Sequence, residues 1–195
     1  MGPPPLTAEH ETVAVGIALI GLVTLVRRCW REGCAAIGVA VVTIVGAEGL
    51  NSYVLPRPDI VGAPSNLTEV SFPSGHVAIA AGLALGAVLV ASPRTRPYIA
   101  AAVQALYWHR PSDALGATLL ACACHAVAAR LLPPAARETV PRRRTLPAAA
   151  LAPAAIGALL AGAREDALAR PLVFAGAAFV CAVLLWATAT QRDRS

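Results

Sequence analysis

Seven apolar runs, at residues 12–26, 34–50, 77–92, 97–108, 114–133, 146–163 and 171–188, divide the chain and hold more than half of it. A soluble domain interleaves its apolar residues with charge, whereas blocks approaching ~20 apolar residues are built to cross the ~30 Å hydrocarbon layer of a bilayer. The residue inventory agrees. Hydrophobic residues make up 57% of the chain and charged residues 14%, against about 25% charged in a typical soluble domain. The first run is followed by "RRCWREG" and not by a small-residue cleavage site, so it reads as a retained span and not a removed leader. The expectation is an all-α polytopic membrane bundle of six to seven transmembrane helices forming one integral membrane domain over 1–195. Glycine inside the runs is compatible with close helix packing.

Every basic residue is arginine, and the arginines sit between apolar runs. They form no single patch, which removes nucleic-acid binding as an explanation of the net charge of +5. They do orient the chain. With the N-terminus outside, Arg27, Arg28, Arg31, Arg94, Arg96, Arg130, Arg137, Arg142, Arg143, Arg144, Arg192 and Arg194 face the cytoplasm, and only Arg57, Arg110, Arg164 and Arg170 lie opposite. This is the positive-inside pattern. The same orientation carries three polar clusters, "LPRPD" (55–59), "PSGH" (73–76) and "HRPSD" (109–113), to the outer face.

Each cluster has its own chemistry. In Pro73-Ser74-Gly75-His76, proline suits a first helical turn, serine can cap, and glycine lets a group approach the backbone. The amides of such a turn and the helix dipole favour an anion. An ordinary cap beside a surface histidine accounts for the tetrapeptide equally well. In the second cluster His109 and Asp113 are four residues apart and share a face if the turn is helical. A carboxylate on one ring nitrogen fixes the tautomer and raises the basicity of the other, which makes a histidine a nucleophile or a base. The simpler reading is a helix start capped by Ser112 or Asp113, with His109 an interfacial aromatic. Arg57 offers the planar fork suited to phosphate oxygens, or a loop pair with Asp59. Together the clusters supply an anion clamp, a helix N-terminus and two histidines on one face.

"RP", then "PSGH", then "HxxxD", in this order at membrane helix ends, resembles the type 2 phosphatidic acid phosphatase superfamily, whose core is shared with vanadium haloperoxidases. The resemblance covers about residues 48–133 and leaves extra C-terminal helices at about 146–188. It implies a lipid phosphatase in which His109 attacks phosphorus to form a phosphohistidine, Asp113 orients it and His76 protonates the leaving oxygen. Arg57, Ser74 and the Gly75 backbone would hold the phosphoryl oxygens. It implies metal-independent chemistry with no cofactor, and vanadate as an inhibitor. The substrate would be a polyprenyl diphosphate, phosphatidic acid or phosphatidylglycerol phosphate in a bacterial plasma membrane, acted on from the extracytoplasmic side. Lipid phosphate and membrane lipids are then the partners, and nucleic acid is not.

The chain departs from that pattern at two places. Leu50 or Asn51 stands where the family's first motif begins with lysine, and Ala102 and Val103 stand where its third motif has Ser-Arg. Removing one donor to a developing oxyanion costs ~3–4 kcal/mol. Arg110, in place of the usual aromatic after the histidine, and Asn51 are the candidate replacements. The alternative is a catalytically impaired relative that binds lipid phosphate or acts as an assembly partner.

The remaining polar residues read as structural. Glu48 is placed at an interface or against Arg57. Gln104 and His125 are expected to bond between helices, His125 roughly 18 Å along its helix from Asp113. Cys29, Cys34, Cys122, Cys124 and Cys181 fit no zinc spacing and read as small apolar residues, with neither a disulfide nor a metal site. "NLT" at 66–68 matches a glycosylation acceptor on the outer side but has no meaning in a bacterium.

Overall fold

The computed structural model describes residues 6–54, 72–92, 95, 96, 99, 111–132 and 171–191. The elements among them are helical: α1 (Leu6–Arg27), α2 (Trp30–Gly49) continuing into a π-helical turn (Leu50–Val54), α3 (Gly75–Val90), α4 (Pro111–Leu131) and α5 (Pro171–Gln191). The segments His10–Arg27, Trp30–Val54 and Ser112–Leu131 are long and apolar enough to cross a membrane, and Gly75–Val90 and Gly176–Ala189 are shorter apolar helices bundled with them. Large apolar side chains such as Leu19, Val26, Val45, Leu119 and Val127 are exposed on the outside of the bundle. An unpaired apolar girdle of this kind marks a membrane-embedded chain. The predicted spans at 97–108 and 146–163 lie outside the described residues, apart from Ile99, which is helical.

Small residues bring the helices together. Ala36, Ala40, Thr43 and Ala47 form a buried stripe on α2, facing Ala78, Gly82 and Gly86 on α3. A Cβ at Gly86 would sit 2.6 Å from the Ala36 carbonyl oxygen, and one at Gly82 would sit 3.4 Å from Ala40 Cα and 3.1 Å from Thr43 Cβ. The two backbones therefore touch. In lipid, where apolar surface gains nothing from leaving water, such close approach is what holds helices together. These pairings run α2 antiparallel to α3, with Ala36 level with Gly86 and Ala47 clustered with Val77 and Ala78.

α3, α4 and α5 run parallel. The amide of Ser74 donates to the Asp113 carbonyl at 3.2 Å at one end. Further along, His125 Nδ1 lies 3.0 Å from the Leu85 carbonyl oxygen, and since a carbonyl only accepts, Nδ1 carries the proton. The interhelical bond expected of His125 is thus present. On α5, Cys181 joins the cluster of Ala114 and Ala117, while Leu185 and Ala189 join that of Leu89 and Ala121. The seventh predicted span is therefore a packing element along α4. The Val90 end of α3 and the Pro111 start of α4 lie at opposite ends of the bundle.

The turn between α1 and α2 is shorter than the sequence implies. Of the expected loop 27–32, Arg31 and Glu32 are helical, and only Arg28 and Cys29 link the helices. Arg28 takes a left-handed φ of 53°. Its amide bonds the Leu25 carbonyl, and the Cys29 amide bonds that of Thr24. This 5→2 and 6→1 pair is a Schellman ending, with arginine in the place glycine usually fills. The Thr24 side chain fills the space beside Gly33, where an added Cβ would collide with it.

Candidate functional site

The helix of the "PSGH" cluster begins two residues later than proline at its first position would require. Ser74 is the N-cap, in extended conformation, and its Oγ accepts from the Val77 amide at 3.5 Å. The Ala78 amide bonds the Ser74 carbonyl at 3.0 Å. Pro73 thus precedes the cap, and Gly75 is the first helical residue. Its amide has no acceptor within the helix, and a Cβ placed on Gly75 would meet nothing within 4 Å. Among the described residues, nothing closes the approach to this helix end. His76 is exposed in the first turn, while Ser74 is buried.

α4 starts on Pro111, whose missing N–H is harmless at that position. Ser112 and Asp113 therefore lie within the first turn, and neither is the cap that the sequence allowed. Asp113 is 1% exposed although it is ionisable and sits beside the apolar cluster of Ala78, Ala114 and Ala117. Ser112 Oγ donates to Asp113 Oδ1 at 2.9 Å. A buried carboxylate in such surroundings is costly unless hydrogen-bonded or paired, and an ionisable side chain within membrane segments is a functional suspect. Phe72 locks the turn before α3 onto α4: its ring lies 2.6 Å from where a Cβ on Gly116 would be.

The Ser74–Asp113 backbone bond holds the N-termini of α3 and α4 side by side. Two helix dipoles then present their positive ends at one place, the arrangement that accepts an anion. The antiparallel course of α2 brings its C-terminal end there as well. Asn51 lies four residues beyond Ala47, and Ser74 four residues before Ala78, so both stand about 6 Å above the same packed layer. Asn51 belongs to the π-helical turn, a distortion found often at functional sites. Its Oδ1 is buried and makes no hydrogen bond among the described residues. A half-turn of the amide exchanges oxygen for nitrogen at that position, so the same place can present two N–H donors to an anion.

The structure thus gathers Asn51, Ser74, Gly75, His76 and Asp113 at one end of the bundle. Arg57, His109 and Arg110 lie outside the described residues. So do the positions of the missing family cations, Ala102 and Val103. Glu48 is exposed at the same end, on the last turn of α2. The opposite end carries Arg27, Arg28, Arg31, Arg96 and Arg130; the four arginines assigned to the other face, Arg57, Arg110, Arg164 and Arg170, lie outside the described residues. The π-helical turn left no trace that periodicity could detect. The five cysteines are free, and among the described residues no three of His, Cys, Asp and Glu gather as metal ligands. Comparison with protein-family models, curated proteins and solved structures returns no match for this chain.

Proposed function

We propose that the chain is a membrane lipid phosphatase that hydrolyses a lipid phosphate or diphosphate through a phosphohistidine. The observation that carries this reading is the 3.2 Å bond from the Ser74 amide to the Asp113 carbonyl. It keeps two helix N-termini, one bearing Ser74, Gly75 and His76 and the other Asp113, beside one another at the end of the bundle away from the described arginines.

In the proposed reaction His109 attacks phosphorus while the bond from phosphorus to the lipid oxygen breaks. His76 gives its proton to that oxygen. Water then cleaves the phosphorus–nitrogen bond, releasing phosphate and restoring His109. Asp113 orients His109, and Arg57, Ser74, the Gly75 amide, Asn51 and Arg110 hold the phosphoryl oxygens. Asn51 and Arg110 take the part of the lysine and arginine that the family pattern contains and this chain lacks. The full proposal has seven spans, an extracytoplasmic site and a bacterial plasma-membrane location, with the lipid tail entering between helices. A polyprenyl diphosphate is the favoured substrate, since an outward-facing site suits recycling of a lipid carrier.

The test is phosphate release by the purified full chain from polyprenyl diphosphate, phosphatidic acid and phosphatidylglycerol phosphate. Release that His109→Ala abolishes supports the enzyme. Binding of these lipids with no release by the unmodified chain replaces it with the lipid-phosphate binder.

A further inference from the structure

A cavity of about 580 Å³ lies between α1 and α3, at the opposite end from Ser74 and Asp113. Its walls are apolar: Leu19 and Val23 from α1, Leu83 and Ala87 from α3. It begins where the two helices touch, since a Cβ on Gly16 would sit 2.6 Å from Leu83 Cδ1. From Gly16 to Arg27 it extends about 16 Å along α1, half of a ~30 Å hydrocarbon core and so the depth of one leaflet.

The far end is polar and cationic. Arg27, Ser92 and Thr95 close it. Arg27 Nη1 donates to the Val90 carbonyl, which anchors the guanidinium across the mouth. A carbonyl partner does not neutralise the charge, and the fork has further donors. The hydroxyls of Ser92 and Thr95 are 3.0 Å apart and exposed to the same mouth. Arg28, Arg31, Arg96 and Arg130 lie at this end of the bundle, with Glu32 as the acid of the first turn of α2.

We propose that this trough holds one acyl chain of an anionic phospholipid from the leaflet at the basic end, with the headgroup phosphate against Arg27. The apolar length matches one leaflet, and the charge at its mouth selects the headgroup. A free phosphate gains nothing from the apolar walls. The inference does not depend on the hydrolytic reading, because no residue of the proposed catalytic set borders the trough.

The experiment reconstitutes the full chain in phosphatidylcholine bilayers with trace spin-labelled phosphatidylglycerol or spin-labelled phosphatidylcholine, and measures the immobilised fraction of each by electron paramagnetic resonance. The expected result is a preference of about fivefold for phosphatidylglycerol, the effect of one well-placed arginine. Arg27→Gln brings the preference close to one, while Arg27→Lys and Arg28→Gln keep it. Ala87→Phe fills the trough with Arg27 intact and removes the preferentially held lipid. Equal immobilisation of the two lipids by the unmodified chain overturns the proposal. So does a preference that survives either Arg27→Gln or Ala87→Phe.

Discussion

The main-chain amide of Ser74 donates to the main-chain carbonyl of Asp113 across 3.2 Å, joining two helix N-termini that are 39 positions apart in sequence. The bond needs no side chain, so it leaves the Ser74 hydroxyl to cap α3 and the Asp113 carboxylate to accept from Ser112. Side-chain substitutions here can therefore separate function from assembly.

Asp113→Asn keeps the shape and removes the charge. Phosphate release is expected to fall by about 10²- to 10⁴-fold, the cost of mis-setting a catalytic histidine through its carboxylate. Thermal stability in detergent should change little, because asparagine has the same shape and its amide oxygen can still accept from Ser112. Steady-state phosphate release and an unfolding curve on the same preparation check both.

Ser74→Ala removes the cap from the Val77 amide and should cost about 0.5–2 kcal/mol of stability. The backbone bond to Asp113 remains, so the loss should appear as a lowered unfolding midpoint with the helical circular dichroism unchanged.

Gly86→Ala puts a Cβ 2.6 Å from the Ala36 carbonyl oxygen, where only a backbone shift can make room. It should destabilise the α2–α3 pair by about 1–3 kcal/mol. Gly75→Ala, whose added carbon meets nothing within 4 Å, is the contrasting substitution. Parallel thermal denaturation of the two variants reads the difference.

Arg28→Gly relieves a left-handed residue at the α1 Schellman ending and should stabilise the hairpin by about 1 kcal/mol. Its unfolding midpoint in detergent should rise accordingly.

Among the described residues, the helices at 12–26, 34–50, 77–92, 114–133 and 171–188 were legible in the sequence from their unbroken apolar runs, because crossing a bilayer demands that pattern whatever the neighbours do. Their ends were less legible. Trp30, Arg31 and Glu32 look like loop residues, yet they form the first turn of α2. The turn before them closes in two residues because Arg28 accepts a conformation that composition does not announce. Likewise Ser74 and Asp113 were recognisable as polar residues at helix ends. Their contact is a main-chain bond, which side-chain identity cannot encode. The orphaned Oδ1 of Asn51 depends on the π-helical turn and on burial, both products of packing. Glycine inside the apolar runs was visible in the sequence, but the buried stripe from Ala36 to Ala47 and its registry with Gly82 and Gly86 became definite only through packing.

The most direct test of the central claim follows labelled phosphorus. Full-length protein is incubated briefly with a polyprenyl diphosphate carrying a radioactive terminal phosphate, quenched in alkali and separated from lipid. The account predicts phosphate release together with an acid-labile, alkali-stable label on the protein that disappears in His109→Ala. Phosphate release at an undiminished rate by His109→Ala, with no label on either protein, would contradict it.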